Sequence, residues 1–263
     1  MTIWQDFEIK CTNYLNEKFG EYAKFIHLGE SDSTVPDIKV ICNNKDFYIE
    51  AKHSPAQCGQ FVLLPNLKTL KFDYSKLNIA SINKYSEKII DYMNENFEEF
   101  KEAGTAGKNI NFENSSIIFA NWIVNFYKDK KVKYFITNNY TLVPLENFLD
   151  YFNVNAKYRV KRSGSSSVGK SNLEIIKSYI NTNYNITKIE VEMNKVFVIS
   201  PTQLHNKRFI VNGIEYMFSV RDNRYEIRRL SNTFNANVIF SIELKPNKQG
   251  LSFNDFILYL ISD

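Results

Sequence analysis

Arginine is missing from the chain until position 159; all seven arginines of this 263-residue sequence lie at or beyond Arg159. Cysteine is scarce as well. Cys11, Cys42 and Cys58 are odd in number and lack metal-ligand spacing, which argues against a disulfide framework and points to reduced thiols in a cytosolic protein. Three scattered histidines, His27, His53 and His205, argue against a zinc centre. No apolar run approaches the roughly 18 residues of a membrane span. The opening Met1-Thr-Ile-Trp-Gln-Asp lacks the basic-then-apolar layout of a signal peptide. Internal repeats and low-complexity linkers are absent too, so two parts of such a chain are expected to pack together.

What is present is the composition of a soluble globular protein, 44% hydrophobic and 24% charged. The net charge of +4 conceals an asymmetry. Residues 1–150 carry 17 lysines against 20 acidic side chains, whereas residues 151–263 carry 16 cations against 9 acids. Arginine forks onto phosphate and onto the edge of guanine, where lysine is a point charge. The distribution therefore favours a C-terminal half that binds a polyanion.

Apolar residues at helical spacing (Ile3, Phe7, Cys11, Tyr14, Leu15) predict a helix over 2–19. Three short apolar runs follow, Tyr22–Leu28, Ile38–Cys42 and Phe47–Ala51, and Asn43-Asn44-Lys45-Asp46 has the chemistry of a hairpin turn between the last two. The segment between Pro55 and Pro65 carries no decisive pattern. Helical patterns return at 81–102 and 115–128, before a strand-like Val132–Thr137. This order predicts an α/β sheet with helices on both faces. Beyond residue 150, a helix from Leu173 to Ile180 precedes a predicted β-meander running from Ile189 to Leu244, with Asn212-Gly213 and Asp222-Asn223 as turns. Phe253–Ile261 closes the chain as a helix.

The stretch that carries chemistry is Pro36-Asp37, followed thirteen residues later by Glu50-Ala51-Lys52. Alternation along a strand puts Glu50 and Lys52 on one face and turns Ala51 away. With Asp37 at the start of the partner strand, two carboxylates and one ammonium converge at one end of the pair. Carboxylates from two segments suit Mg²⁺ when phosphate and water complete its shell, and the lysine suits a developing negative charge.

This spacing, in the context "VPDIKV" and "YIEAK", resembles the PD-(D/E)XK nuclease superfamily over residues 1–137. The resemblance implies a restriction-endonuclease-like α/β core with a mixed central sheet flanked by helices, Asp37 and Glu50 as metal ligands and Lys52 as the catalytic cation. Such nucleases often add an acid from the first helix. Glu8 matches, because Trp4, Glu8, Cys11 and Leu15 form one stripe and a glutamate on an apolar stripe needs a partner; the plain alternative is that it reaches solvent at the stripe's edge. Ser31 and Ser33 fall in a polar lead-in that would either contact DNA or simply turn. Gln57 and Gln60 follow the motif where some members carry a glutamine. A second E-x-K, Glu243-Leu-Lys245, lacks a preceding Pro-Asp.

Gly164 to Ser171 reads G-x-x-x-x-G-K-S, the pattern of a nucleotide-binding loop. Its feeder, Lys157–Arg162, alternates charges where that fold needs a buried strand, and no later apolar run ends in a magnesium-binding aspartate. The loop's Ser163, Ser165 and Ser166, with Arg159, Lys161, Arg162 and Lys170, are instead expected to grip DNA phosphate. Arg221, Arg224, Arg228 and Arg229 are candidates for base edges or a solvated face. The expectation is a Mg²⁺-dependent, site-specific double-stranded DNA endonuclease. It needs no nucleotide cofactor, is homodimeric if it cuts a palindrome, and has a catalytic core at 1–150 and a basic, β-rich recognition part at 151–263. The rival readings are a structure-specific or repair nuclease of the same superfamily, and a nucleotide-binding protein without nuclease activity.

Overall fold

Local periodicity acts as predicted in the first part of the chain. The first helix, α1 (Ile3–Phe19), is followed by strands β1 (Lys24–His27), β2 (Ile38–Cys42) and β3 (Lys45–Ala51). Cys42 pairs with Lys45, so the β2–β3 turn is two residues long, and Asn43 takes φ 46° there. Asparagine tolerates that left-handed backbone better than most side chains. The computed structural model describes residues 3–29, 35–43, 45–162 and 164–262.

The next stretch, undecided in sequence, is a long strand. β4 (Ala56–Asn66) starts just after Pro55 and pairs with β5 (Lys71–Tyr74), with Pro65 opposite Phe72 near the end of that ladder. Its apolar signal is broken by Gly59, which hides its period of two. Gly59 has φ +93°, and a Cβ there would lie 2.8 Å from the Trp122 ring. Gly59→Ala therefore meets both backbone strain and a clash with a fully buried indole. It is expected to lower stability by about 1–3 kcal/mol, read as a drop of several degrees in the melting temperature.

Helices α2 (Lys84–Glu95) and α3 (Phe97–Phe100) follow, then β6 (Lys108–Ile110), α4 (Ser115–Asp129), β7 (Val132–Thr137), β8 (Thr141–Pro144) and α5 (Phe148–Tyr151). The first sheet has the order β1-β2-β3-β7-β8. It is mixed: β3 and β7 run parallel, and its other neighbours antiparallel. On one face Cys11, Leu15 and Phe19 of α1 bury against Ile38, Val40, Ile49 and Ile136. Each large apolar side chain so buried contributes roughly 1.5–3 kcal/mol. On the other face the Tyr127 ring of α4 packs edge-on to Phe135.

β9 (Phe152–Arg162) and β10 (Ser165–Ser166) lead to α6 (Leu173–Asn183), then β11 (Lys188–Glu192), β12 (Lys195–Ile199), β13 (Arg208–Val211), β14 (Ile214–Arg221) and β15 (Arg224–Leu230). β16 (Phe234–Leu244) and α7 (Phe253–Ile261) end the described chain, giving seven α-helices among the described residues. Two compact units result, one of residues 1–159 with 236–263, the other of residues 160–235. The smaller unit holds a sheet of order β11-β12-β15-β14-β13, with β10 also on β15, and α6 packs Ile176 and Ile180 into its core. Asn212 and Gly213 both take positive φ in the two-residue β13–β14 turn.

One predicted strand belongs elsewhere. Val238–Leu244 does not extend the meander but lies in β16, in a second sheet of the larger unit, order β5-β4-β16-β9-β6. Ala236 through Phe240 are five successive buried residues. That is the mark of a strand covered on both faces. α7 likewise returns to the first sheet, where Phe256 and Leu260 join the core around Tyr134.

Candidate active site

Asp37 sits one residue before β2 and is fixed from two directions. Its carbonyl accepts the Leu28 amide at 2.8 Å, and its carboxylate Oδ2 accepts the Ala51 amide at 2.9 Å. Ala51 itself turns into the α1 side of the sheet, as alternation requires, and leaves Glu50 and Lys52 on the opposite side. The Lys52 amide continues the parallel ladder by donating to the Ile136 carbonyl at 2.9 Å. The Lys52 ammonium then lies 2.6 Å from Glu50 Oε1 and 3.7 Å from Asp37 Oδ2. The three residues predicted from spacing do converge.

Glu8 joins them from α1. It is buried and lines the same cleft as Asp37, Glu50 and Lys52, a cavity of about 520 Å³. Its partner was not legible in the sequence. His27 Nε2, at the end of β1, lies 3.3 Å from Glu8 Oε2. Asn16 sets this meeting by clamping α1 to β1, donating to the Phe25 carbonyl at 2.9 Å and accepting the Phe25 amide at 3.2 Å. Gly29 leaves room for the pair, since a Cβ there would fall 2.4 Å from Glu8 Oε2. Tyr127 is the second residue that spacing did not reveal: its phenol donates to Glu50 Oε1 at 2.9 Å.

The electrostatics follow from burial. Desolvation, reinforced by Glu50, pushes the Asp37 carboxyl up to about 7 despite Lys52. Glu8 is also raised, chiefly by desolvation. Burial alone would lower the Lys52 ammonium, but Glu50 and Asp37 outweigh it and hold the lysine charged. Desolvation also pushes the Cys58 thiol up to about 12, so this buried cysteine is not a nucleophile. A buried pair of carboxylates answered by a single ammonium is short of positive charge, and its donors are hard oxygens. That chemistry fits a small divalent cation. Among the described residues no three His, Cys, Asp or Glu groups are placed so as to hold a metal ion together. Magnesium does not require such a trio, because it keeps waters and takes one or two carboxylates plus substrate phosphate.

Gln57 and Gln60 also line the cleft and hydrogen-bond each other at 3.1 Å. His53 packs edge-on to Phe7. In the second E-x-K, Glu243 is exposed and Lys245 Nζ donates to the Leu149 carbonyl at 2.7 Å, away from the cleft. Ser31, Ser33 and Ser163 lie outside the described residues.

The G-x-x-x-x-G-K-S segment does not build a strand–loop–helix phosphate cradle. Ser165 and Ser166 pair with Leu230 and Arg229 as β10, and a short 3₁₀ turn at Lys170–Asn172 precedes α6. Several nearby arginines have acidic partners within the smaller unit. Arg162 donates to Glu215 and to the Ser231 carbonyl. Arg221 and Arg228 both reach Glu226, and Arg228 also donates to the Ser165 carbonyl at 2.6 Å. Arg224 bridges Glu190 and Glu192 and stacks over Phe197. Arg159 is half-buried in the larger unit, while Lys161 and Lys170 are exposed.

The chain is thus a mixed α/β protein with a buried carboxylate–lysine centre at the end of its mixed sheet, open to a cleft. It is similar to the solved structure of HhaI endonuclease in complex with DNA, with 41% identity, a TM-score of 0.74, and coverage of 98% of this chain and 95% of that one. On that identity and coverage the chain belongs to the HhaI endonuclease family. No protein-family model and no curated protein sequence matches it.

Proposed function

We propose that this protein is a Mg²⁺-dependent endonuclease of the restriction type that cuts double-stranded DNA at specific sites through a PD-(D/E)XK centre. The observation that carries the reading is Asp37, Glu50 and Lys52 meeting at one end of a cleft, in a chain 41% identical to HhaI endonuclease. Asp37 and Glu50 would hold the ion, with Glu8 assisting from α1. Magnesium, when bound, would supply positive charge against the scissile phosphate and make water a better nucleophile. Lys52, held charged by its carboxylate neighbours, stabilises the negative charge that grows on the phosphate oxygens. Attack of water on phosphorus breaks the bond to the 3′ oxygen, which leaves with a proton as a 3′-hydroxyl, and the 5′-phosphate remains on the other fragment.

The test is digestion of supercoiled plasmid with Mg²⁺ and no nucleotide. Discrete bands support site-specific cutting. Preference for branched or nicked substrates would favour a repair nuclease, and a requirement for ATP or GTP would overturn the reading. Among the described residues one chain carries one such centre, so double-strand cutting takes two copies or two successive events. A homodimer converts supercoiled to linear plasmid without building up the nicked circle, whereas successive events accumulate it.

We assign DNA binding to the basic, β-rich part of residues 151–263 that forms the smaller unit, 160–235, and catalysis to the core at 1–150, to which β16 and α7 also belong. Because Arg162 is engaged with Glu215, exposed Lys161 and Lys170 are the cleaner probes of phosphate binding. Replacing both with alanine is expected to weaken specific and non-specific binding by similar factors. It should also flatten the log–log salt dependence, by roughly one unit for each phosphate no longer neutralised. An unchanged slope would remove these lysines from the DNA interface.

A further inference from the structure

We infer that Tyr127 is a positioning residue of the centre, one that orients Glu50 so that a single carboxylate oxygen is left for the metal. This rests on the nuclease reading and extends it to a residue on a separate helix, 77 positions from the carboxylate it serves.

Glu50 is buried, and both of its close donors converge on the same atom. The Tyr127 phenol lies 2.9 Å from Oε1 and the Lys52 ammonium 2.6 Å from Oε1. Among the described residues no donor is directed at Oε2. A carboxylate held by Lys52 alone would share its two oxygens with one flexible ammonium, because an ammonium is a point charge on a rotatable stem. The phenol is different, because its ring is buried and packed between two others. Phe135 packs edge-on to it at 5.0 Å between centroids and Phe126 edge-on at 5.1 Å. The hydroxyl therefore donates along one direction, and that direction decides which Glu50 oxygen is occupied. Outer partners of this kind set the orientation and basicity of a metal-binding carboxylate, and their loss typically costs about 10–100-fold in metal affinity or activity.

The experiment is Tyr127→Phe in the full chain, compared with Tyr74→Phe. Tyr74 is a matched control, because its half-buried phenol donates to the Ala80 carbonyl at 2.7 Å and has no part in the centre. Two quantities are read: the Mg²⁺ concentration giving half-maximal cleavage, and the Mg²⁺ concentration giving half of the metal-induced thermal shift without DNA. Tyr127→Phe is expected to raise both midpoints roughly tenfold, with a smaller effect on the rate at saturating Mg²⁺; Tyr74→Phe is expected to leave both in place. Unchanged midpoints in a folded, active Tyr127→Phe protein would overturn the inference while leaving the nuclease reading intact. A parent protein that neither cuts DNA nor responds to Mg²⁺ would overturn the reading itself. Should Tyr127→Phe not fold, Phe135→Leu loosens the ring while sparing the hydroxyl. A midpoint rise of several fold is then expected, and no rise would count against the role.

Discussion

Lys52→Ala is expected to slow cleavage by roughly 10²–10³-fold, the usual loss when one preorganised donor to a developing oxyanion is removed. The reason lies in its surroundings. Lys52 is the ammonium that answers both Glu50 at 2.6 Å and Asp37 at 3.7 Å, and it lines the cleft where substrate would enter. Removing it spares both carboxylates, so Mg²⁺ binding measured by calorimetry should persist. With the ammonium gone, the carboxylate pair is less neutralised, and metal affinity should if anything rise. Single-turnover rates at saturating Mg²⁺ make the comparison. A parental rate in Lys52→Ala would shift the role to another cation of the cleft, which Lys130 also lines.

Asp37→Asn should abolish cleavage and yet stabilise the metal-free protein. The sign follows from burial. The Asp37 carboxyl titrates near 7 in the folded chain against an ordinary 3.8, so the folded state holds a proton that the unfolded state has already lost. Stability of the metal-free protein should therefore fall as pH rises from about 4 through 7, by at most about 1.4 kcal/mol per pH unit for this one group. Glu8, raised in the same direction, adds to the slope. Asparagine removes the buried charge beside Glu50 while its side-chain oxygen can still accept the Ala51 amide. Melting temperatures at pH 5 and pH 8, without divalent metal, should converge in Asp37→Asn relative to the parent. Saturating Mg²⁺ should stabilise the parent at pH 8 more than the variant. Equal pH dependence in both proteins would mean that Asp37 is not the strained carboxylate.

The parts of the centre legible in sequence were those governed by short-range geometry. Period-two alternation puts Glu50 and Lys52 together, a hairpin turn within Asn43–Asp46 brings Asp37 opposite them, and a helical stripe carries Glu8. Each needs only a few neighbouring residues to be seen. His27 and Tyr127 reach the site through tertiary packing, across 19 and 77 positions, so no local pattern marks them. The arginines teach the complementary lesson. Their clustering was visible, but Arg162, Arg221, Arg224 and Arg228 all have acidic partners inside their own unit, and sequence reports charge without reporting pairing. Val238–Leu244 was legible as a strand and illegible as to sheet, because the same apolar run suits an edge of the meander or the middle of another sheet.

That strand has a consequence for how such a chain can change. β9 and β16 are neighbours in one sheet, yet nearly all of the smaller unit, 160–235, lies between them in sequence. Adjacent strands stand only about 5 Å apart. The chain therefore leaves the larger unit along one strand of this sheet and returns to it along the neighbouring one. An element joined in this way can be lengthened, exchanged or trimmed to a short turn without re-threading the sheet on either side. Evolution could thus vary the smaller unit as a cassette while the strands that align Asp37, Glu50 and Lys52 keep their register.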